Sequence, residues 1–397
     1  MGGSNDTEFL LGFCEVRAIV SVPDIRIFRN FMEDRRISMD AYSSSLYESI
    51  AVDSGGCGNA SLFRPTIPRL LKRVIGTTKL GMRFHRYVLY PLLVMNKGAN
   101  VNHISEHGYT HLIPFLRGKT VVTVMDLIPL LAWRGEIEGM SYPNRPRLLE
   151  YSLGFLKKAD KVITISYATK RDLIRSVNIP DSKIVVIYPG LDHDLFRVLN
   201  RDRDILAAFL GIKPRFQRYL LITGREPYKN HVVALKALAR LQSLYPERYG
   251  LLHIGPGYPE LEQEKRGLGV SHLVEELGVI KRELLPVVYN FVDFLLFPSV
   301  YEGFGWPPIE AMACGTAVVA SKSGALEEVV GDLDTTVKPH DVDGIVNMVT
   351  KLDSNPEFHQ EQIHRGLKIA KRYSWDRAAR ETCRVYAKLL EGGCPHG

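Results

Sequence analysis

The chain of 397 residues repeats one pattern, in which a short apolar run precedes a segment with helical spacing. KVITIS at 161–166 precedes YATKRDLIRSV, and RYLLITG at 218–224 precedes NHVVALKALARLQSLY. Continuous apolar runs are typical of strands buried on both faces, and strands that alternate with helices form parallel sheets. The pattern therefore predicts an α/β fold. Further apolar runs are TVVTVMDLIPL (120–130), KIVVIYPG (183–190), YGLLHIGPG (249–257), FVDFLLFPS (291–299) and TAVVAS (316–321).

Such units occur on both sides of residue 200, and a chain of this length accommodates about two domains. The sequence predicts two parallel-sheet domains with a boundary in the polar stretch LDHDLFRVLNRDRD at 191–204. The first hundred residues follow the pattern less clearly. There CEVRAIVSVP (14–23) is predicted to be the first strand, SMDAYSSSLYESI (38–50) a helix, and the Gly- and Ser-rich VDSGGCGNASLF (52–63) a loop.

The net charge of +7 belongs to the N-terminal half of the chain. Residues 1–200 contain 26 Lys and Arg against 19 Asp and Glu, whereas residues 201–397 contain 25 of each. The excess concentrates in residues 54–105, which contain basic residues and no acidic residue. No nucleic-acid recognition motif accompanies these bases, so nucleic acid is not a predicted partner.

Within this basic region, PRLLKRVI at 68–75 has a helical spacing that separates charged from apolar side chains. Two interpretations remain open. The basic side contacts an anionic membrane or a diphosphate through residues 64–86, or it is a solvated face of a helix that packs on the domain. The basic side consists of Arg69, Lys72 and Arg73, and the opposite side of Leu70, Leu71, Val74 and Ile75.

A membrane span, a leader and a disulfide framework are not predicted. No apolar run approaches the ~18 residues that a membrane-spanning helix needs, and residues 1–17 lack the basic region of a secretory signal. The cysteines, at 14, 57, 314, 383 and 394, are scattered and form no C-x-x-C motif. The sequence thus predicts free thiols and a cytoplasmic protein, with peripheral attachment to the inner face of the membrane through the basic region.

The segment YEGFGWPPIEAMACG at 301–315 places Glu302 and Glu310 on either side of a glycine turn and a proline pair. It follows an apolar run, and ligands of parallel sheets bind at the carboxyl ends of the strands. Gly303 and Gly305 let the backbone approach a ligand, and a helix N-terminus offers free amides to an anion. These features predict a ligand with hydroxyls on both sides of a diphosphate, such as a nucleotide sugar. Alternatively, Glu310 only stabilises the helix N-terminus and Glu302 is a surface residue.

TGREPYKNH at 223–231 has a similar arrangement. A strand ends at Gly224, Arg225 and Lys229 follow, and a helix begins near Asn230, which is a predicted N-cap. Two cations beside a helix N-terminus form a cradle for a diphosphate and would stabilise the negative charge of a leaving nucleotide. Two surface cations without a ligand are the alternative.

These motifs together resemble the retaining glycosyltransferases of family 4, which have the GT-B fold. EGFGWPPIEAMACGTAVVAS resembles the E-x7-E segment of that family, and GREPYKN resembles its phosphate motif EPRKN. VVTVMDLIPLL, KKADKVITIS, YPGLDHDLF and LLPVVYNFVDFLLFPSVYEGFG follow its order and spacing. The resemblance implies two Rossmann-like domains facing a cleft. Residues 1–195 would bind the acceptor, residues 196–374 would bind the nucleotide sugar, and a helix within 375–397 would return to the first domain.

The resemblance also implies roles for individual residues. Arg225 and Lys229 would bind the donor diphosphate, Glu302 would face the donor sugar, and Glu310 would hold the ribose hydroxyls. The base would lie against 277–280, and no metal or other cofactor is expected because basic side chains replace it. The predicted site residues are catalytic Asp126, Arg225, Lys229 and Glu302; donor-binding Gly224, Gly278, Val279, Gly303, Phe304, Gly305 and Glu310; and, on the acceptor side, His107 and His111.

The implied reaction moves a hexose, such as mannose or glucose, from a nucleotide-diphosphate sugar to a saccharide or lipid-linked acceptor. No side-chain nucleophile stands out, so the leaving phosphate is expected to help deprotonate the acceptor on the same face of the sugar. Two residues depart from the family pattern, because Met125 stands where many relatives have histidine and Tyr228 replaces the arginine of EPRKN. These departures keep a degenerate donor-binding subunit as an alternative, and a nucleotide-sugar epimerase on the same fold is another.

Two segments have the spacing of metal sites, and neither is predicted to bind a metal. LDHDLF at 191–196 contains a D-x-D pattern, but its match to the family places it in a capping or hinge role. NHISEHGYTHL at 102–112 contains three histidines at spacings of four without an H-E-x-x-H motif, so structural histidines are favoured. Cys314 is interpreted as a small buried residue.

Overall fold

The computed structural model describes residues 23–34, 36–52, 57–76 and 78–391. These residues form two six-stranded sheets in which neighbouring strands are parallel, which confirms the predicted α/β fold. The strands of the first sheet are β1 (Asp24–Phe28), β2 (Asn59–Phe63), β3 (Val101–Ile104), β4 (Lys119–Val124), β5 (Lys161–Thr164) and β6 (Ile184–Val186). Those of the second sheet are β7 (Arg218–Thr223), β8 (Tyr249–Ile254), β9 (Val274–Gly278), β10 (Phe294–Phe297), β11 (Ala317–Ser321) and β12 (Thr336–Val337).

The strand order of each sheet determines where loops can meet. The first sheet has the order β2-β1-β3-β4-β5-β6, and the second has the order β12-β11-β10-β7-β8-β9. In the second sheet the order reverses between β7 and β10, which pair directly, with Phe294 opposite Leu220. Ligands of open α/β sheets bind at such a reversal, beyond the carboxyl ends of the strands. The loops after β7 and β10 therefore lie side by side.

Helices connect the strands and cover the sheets. The segment YATKRDLIRSV forms a helix over its whole length because Ser166 caps its first turn and Asn178, in the left-handed conformation, ends it. The helices are α1 (Ile37–Val52), α2 (Arg69–Val74), α3 (Lys79–Phe84), α4 (Tyr90–Val94), α5 (Ile128–Trp133), α6 (Arg147–Leu153), α7 (Tyr167–Val177), α8 (Arg203–Leu210), α9 (His231–Leu244), α10 (Pro259–Gly267), α11 (Leu285–Phe291), α12 (Trp306–Ala313), α13 (Leu326–Val330), α14 (Val342–Ser354), α15 (Pro356–Ala370) and α16 (Trp375–Glu391).

Three predictions about local structure need correction or stand untested. The segment 52–63 is not a loop throughout, because Asn59–Phe63 pairs with β1 as a strand. Asn230 precedes α9 in the left-handed conformation, but its side chain donates to the carbonyls of Pro298 and Pro339 instead of capping the helix. The strand predicted at 14–23 lies almost entirely outside the described residues, and the first described strand is β1.

The last helix, α16, packs against the N-terminal half of the molecule. The rings of Trp375 and Tyr42 lie 5.7 Å apart, and the Tyr386 hydroxyl lies 2.6 Å from His103 Nδ1. Cys383 of α16 forms a disulfide with Cys57, which precedes β2. Helix α16 is thus joined both covalently and by packing to the N-terminal half.

The disulfide shows that the prediction of free thiols is wrong for two of the cysteines. Cys57 and Cys383 are 326 residues apart, so their spacing gave no sign of the pair. Cys314 is buried and is a free cysteine, while Cys14 and Cys394 lie outside the described residues. Disulfides persist mainly in oxidising compartments, so this pair argues against the predicted cytoplasmic location.

The apolar side chains of PRLLKRVI in the basic region differ in their exposure. Leu71 and Ile75 are partly buried, whereas Leu70 and Val74 of α2 are 73% and 75% exposed. The helical projection placed all four opposite the basic side chains and left their packing open, and the short α2 buries only part of that side. None of the helices that the structure describes is both long and apolar enough to cross a membrane.

Candidate active site

The loops after β7 and β10 meet through a buried ion pair. Lys229 Nζ donates a hydrogen bond of 2.8 Å to Glu302 Oε1, and the Ser299 hydroxyl donates to the same oxygen at 2.9 Å. Glu302 is only 6% exposed. A carboxylate in such a position needs a partner of opposite charge, because burial of an unpaired charge is costly. The pair places two of the predicted catalytic residues at the reversal of strand order.

The glycine turn that follows Glu302 is shaped by contact with the N-terminal half. A Cβ atom on Gly303 would lie 2.5 Å from the Met125 carbonyl oxygen and 2.8 Å from Asp126 Cβ, so a side chain does not fit. Gly305 has a φ of +101°, which favours glycine, and directly precedes α12. The turn thus brings the backbone of the C-terminal half against Asp126.

The N-terminus of α12 has few free amides. Pro307 and Pro308 occupy its second and third positions and have no N–H group. The free donors at this helix end are therefore contributed by Gly305 and Trp306. Their amides can bind an anion such as a phosphate.

Glu310 lies one turn into α12, where a tyrosine orients its carboxylate. The Tyr289 hydroxyl donates a hydrogen bond of 2.8 Å to Glu310 Oε2. Burial raises the pKa of Glu310, while the hydrogen bond from Tyr289 and the charges of Arg282 and Lys229 oppose that rise. This carboxylate is held in one orientation and can accept hydrogen bonds from ligand hydroxyls.

The remaining residues of GREPYKN differ in exposure. Arg225 is exposed and stands apart from the Lys229–Glu302 pair, and its backbone amide donates to Glu226 Oε2 at 3.1 Å. Tyr228 is partly buried and packs on the apolar core of the N-terminal half. The tyrosine that replaces the family arginine therefore adds a contact between the halves instead of a second buried cation.

The ends of β7, β8 and β9 converge beside this loop. The amide of Gly224 donates to the Ile254 carbonyl at 2.7 Å, and the amide of Gly255 donates to the Gly278 carbonyl at 2.9 Å. Val279, which follows, is 71% exposed. The structure thus places Gly278 and Val279 two strands further from the ion pair than Gly224, with Val279 open to solvent.

Asp126 faces the glycine turn from the end of β4. Its Oδ1 accepts a hydrogen bond of 3.0 Å from the Ile128 amide. Burial raises the pKa of Asp126 to about 6, the Ile128 amide and the Arg36 charge lower it, and the charges of Glu302 and Glu106 raise it further. We therefore expect Asp126 to change its charge near pH 6.

We expect this shift to appear as a pH-dependent difference in stability between the wild type and Asp126→Asn. A raised pKa in the folded state means that stability is complete below the unfolded value, near about pH 4, and is lost as the pH rises through about 6. The free energy of unfolding of the wild type, relative to the variant, should fall by about 3 kcal/mol over that interval. Urea titrations across this range measure it, and a difference that does not change with pH would contradict the assignment.

Glu106 joins the site from the end of β3 and was not identified from the sequence. It is 1% exposed, and its Oε1 pairs with Arg36 and, at 3.5 Å, with Arg86. Its Oε2 and His107 Nδ1 are buried and have no hydrogen-bond partner among the described residues. An acid two residues after the apolar end of β3, in HISEHG, was the signal that could have revealed it. These unpaired atoms make this end of the first sheet suited to a ligand with hydroxyl groups.

The two predicted acceptor-side histidines differ in their environment. Burial lowers the pKa of His107 to about 3, so it is neutral at physiological pH. His111 lies deeper in its segment, where its Nε2 is 2.9 Å from the Arg86 carbonyl oxygen. Burial lowers the pKa of His111 to about 4. The structure therefore brings His107 next to Glu106, and gives His111 a structural contact.

The segments with metal-like spacing are accounted for by protein contacts. Asp192 Oδ1 accepts the Leu195 amide at 3.0 Å, as expected for a capping residue. His103 contacts Tyr386 and Thr123 through its two ring nitrogens. Within the part of the chain that the structure describes, no group of three or more His, Cys, Asp and Glu side chains has the arrangement of a metal site.

Further contacts hold the two halves together around the site. Glu328 of α13 accepts hydrogen bonds of 2.8 and 2.7 Å from the amides of Tyr167 and Ala168, at the N-terminus of α7. The Tyr301 hydroxyl donates to Asp172 of the same helix. The carboxylate of Glu328 also interacts favourably with the helix dipole of α7. These contacts keep Glu302 and Asp126 on facing walls.

Comparisons with known proteins agree with this architecture. Residues 202–368 match the family model of the glycosyl transferases group 1, and residues 58–195 match that of Glycosyltransferase Family 4. Solved structures with the same fold include sucrose-phosphate synthase from Thermosynechococcus elongatus, with a TM-score of 0.69, 20% identity, and coverage of 94% of this chain and 100% of that chain. Another is HepE of Anabaena in complex with UDP-glucose, with a TM-score of 0.67, 17% identity, and coverage of 93% and 100%.

Among curated proteins, the chain is similar to two mannosyltransferases of Escherichia coli. It is 29% identical over 303 residues to the serotype-specific mannosyltransferase WbdA, a match that covers 73% of this chain and 36% of that protein. It is 32% identical over 254 residues to the O-antigen chain mannosyltransferase B, with coverage of 62% of this chain and 65% of that protein. The chain thus spans about a third of the length of WbdA.

Proposed function

The chain belongs to the glycosyltransferases of family 4, and from this premise we propose that it transfers a hexose with retention of configuration from a nucleotide-diphosphate sugar to a saccharide or lipid-linked hydroxyl. The observation that carries the proposal is the buried pair of Lys229 and Glu302, which lies beside the amides of Phe304 and Gly305 and across from Asp126. A cation, free amides and facing carboxylates are the groups that a diphosphate joined to a sugar requires.

Each part of the donor has a suitable contact in the proposal. Lys229, Arg225 and the amides of the glycine turn bind the diphosphate, and Glu302 accepts a hydrogen bond from a hydroxyl of the sugar. Glu310, oriented by Tyr289, accepts the ribose hydroxyls, and the base lies against the exposed segment at Gly278 and Val279. Basic side chains neutralise the diphosphate in this proposal, so the transfer requires no metal.

The proposed chemistry is a front-face displacement. The acceptor oxygen forms a bond to C1 of the sugar while the bond from C1 to the diphosphate oxygen breaks on the same face. The acceptor proton passes to a leaving phosphate oxygen. Lys229 and the glycine-turn amides stabilise the charge that develops on this phosphate, in a cleft with little access to water.

The acceptor is proposed to bind at the ends of β3 and β4. Glu106 Oε2 and His107 Nδ1 are buried without a protein partner among the described residues, and hydroxyls of a saccharide would satisfy them. Arg36 and Arg86 hold the carboxylate of Glu106 through its other oxygen, Oε1. Mannose and glucose are the proposed sugars because relatives are mannosyltransferases and a structural neighbour was solved with UDP-glucose.

The test begins with a donor screen by thermal shift, across uridine, guanosine and adenosine diphosphate sugars. The donor that stabilises the protein is then incubated with candidate acceptors, and the anomeric configuration of the product is determined by NMR. An inverted product would refute retention. Conversion of the donor without an acceptor would favour an epimerase, and donor binding without turnover would favour a degenerate subunit.

A second part of the proposal is that the enzyme contacts an anionic membrane. Exposed apolar and basic side chains lie along the segment from α2 to α4, and this set is here named the basic–apolar ridge (within residues 69–76 and 78–92). Beside it lies a groove of about 750 Å³ lined by Leu80, Phe84 and Tyr151 among others. Apolar side chains that insert at the interface, with bases that meet anionic lipids, are typical of peripheral attachment. The apolar members of the ridge are Leu70, Val74, Leu80, Val88 and Leu92, and the basic members are Arg69, Arg73, Lys79 and Arg83.

We predict that the variant R69E/R73E/K79E loses affinity for vesicles of phosphatidylcholine mixed with phosphatidylglycerol. Each basic residue near such a surface contributes about 1 kcal/mol, so the loss should be about 100-fold or more. Lys72 is left unchanged because it pairs with Glu33. Vesicle co-sedimentation measures the effect.

A matched control tests whether the loss of vesicle binding depends on this surface or only on the net charge. The variant K368E/K371E/R380E changes three exposed bases on α15, α16 and the turn between them, and should bind the same vesicles like the wild type. The variant L70S/V74S/L80S should weaken binding without changing the charge. Equal binding by the wild type and R69E/R73E/K79E would remove the membrane proposal and leave the donor proposal intact.

A further inference from the structure

His253 lies near the end of β8 in the second sheet and contacts the start of the loop that has the sequence GREPYKN. It is fully buried, its Nδ1 lies 2.5 Å from Glu276 Oε2, and its Nε2 lies 2.7 Å from the carbonyl oxygen of Gly224. Gly224 is the first residue after β7 and begins GREPYKN. The imidazole therefore joins the neighbouring strand β9 to the start of the loop that carries Arg225 and Lys229.

The direction of the hydrogen bonds follows from the chemistry of the partners. The carbonyl of Gly224 can only accept, so Nε2 of His253 must carry a hydrogen and donate it. Glu276 is itself held by Lys265, whose Nζ donates to Glu276 Oε1 at 2.8 Å and which is 4% exposed. The hydrogen bond from His253 and the charge of Lys265 lower the pKa of Glu276 against the effect of its burial. The Glu276 carboxylate thus holds the imidazole in place at Nδ1, and the imidazole holds the Gly224 carbonyl in place at Nε2.

A fixed carbonyl also fixes the amide of the next residue. The peptide unit between Gly224 and Arg225 is planar and trans, so its C=O and N–H point in opposite directions. Since the carbonyl points at His253, the Arg225 amide points away from His253. There it donates to Glu226 Oε2 at 3.1 Å. The Arg225 amide therefore already binds an anionic group, the Glu226 carboxylate. Because Glu226 is exposed, a ligand anion can displace this carboxylate.

We propose that His253 is a positioning residue that fixes the Gly224 carbonyl and thereby aims the Arg225 amide at the donor diphosphate, a position that the Glu226 carboxylate occupies until the donor displaces it. The inference rests on the proposed function and adds to it two residues, His253 and Glu226, with opposite effects. His253 strengthens binding of the diphosphate without touching it. Glu226 weakens the same binding because it competes for the amide and repels the negative charge.

The experiment compares wild type, His253→Leu, His253→Gln and Glu226→Ala by calorimetric titration with UDP, GDP and ADP, and with the corresponding nucleosides. The substitution His253→Leu removes the hydrogen-bond donor to the Gly224 carbonyl, so the Kd for the bound diphosphate should rise about 10-fold. The side-chain amide in H253Q can still donate, and its Kd should stay within about threefold of wild type. E226A should bind more tightly than wild type. Affinity for the nucleoside should not change in any variant, because the amide acts on phosphate alone.

Several outcomes decide between the explanations. Equal weakening of nucleoside and diphosphate binding in H253L would indicate a structural role, and would overturn the inference. So would unchanged diphosphate affinity in H253L, or weaker binding by E226A. If H253L fails to fold, H253Q and E226A still test the direction of both effects. Absence of binding of all three diphosphates by the wild type would refute the proposed function, and the inference with it.

Discussion

Lys229→Ala is expected to lower kcat by about 100- to 1,000-fold, the loss typical of removing one charged contact to a leaving group in a dry site. Lys229 is the cation next to Glu302, and it belongs to the loop that meets the glycine turn. Without it, the proposed leaving diphosphate would keep only Arg225, which is exposed, and backbone amides. The measurement is the initial rate of transfer at saturating donor and acceptor.

The same substitution also affects stability, and the two effects need separation. In Lys229→Ala the carboxylate of Glu302 stays buried with Ser299 as its remaining partner, which should reduce the free energy of unfolding by about 3 kcal/mol. The double variant K229A/E302Q removes the unpaired charge. We therefore expect it to regain stability and to remain inactive, which would assign the rate loss to chemistry and not to unfolding.

The matched control is Lys236→Ala. Lys236 is an exposed lysine of α9, the helix that follows GREPYKN, and its removal changes the net charge by the same amount. It should keep kcat within about twofold of the wild type, as surface substitutions away from a site usually do. If Lys229→Ala retained more than about a tenth of the wild-type kcat, the proposed role of the ion pair would be wrong.

The strands and helices that sequence patterns predicted correctly are those that their own local sequence determines. An apolar run such as RYLLITG forms a strand because both of its faces are buried, and YATKRDLIRSV forms a helix because its own caps define its ends. The two motif loops could be paired because each follows such a strand. Local sequence was a poorer guide where tertiary contacts decide, as in Asn59–Phe63, which becomes a strand by pairing with β1.

The parts that remained hidden depend on contacts between distant segments. Glu106 acquires its environment from Arg36 and Arg86, which lie far from it in sequence. His253 gains its contact with Gly224 only because β7 and β8 are neighbours. Neither side chain belongs to a motif with fixed spacing. The predicted roles of the site residues themselves remain proposals that the experiments above test.

The disulfide between Cys57 and Cys383 is the feature that sequence spacing could least predict, and its loss should have a large effect on stability. We expect the variant C57S/C383S to lose about 2–4 kcal/mol of unfolding free energy relative to the oxidised wild type. The pair closes a loop of 326 residues in sequence, so it restricts the unfolded chain strongly. The folded state should change little, because Trp375 and Tyr386 keep α16 in contact with the N-terminal half.

Denaturant titrations of protein purified without reductant provide the measurement, with a thiol reductant as the second condition. Reductant should lower the stability of the wild type to that of C57S/C383S and should leave the variant unchanged, which makes the variant its own control. The slope of the unfolding free energy with denaturant should rise on reduction, because an unfolded chain without the cross-link exposes more surface. A wild type whose stability and slope do not respond to reductant would mean that the two thiols are unpaired in solution. In that case packing alone would hold α16, and the argument against a cytoplasmic location would no longer stand.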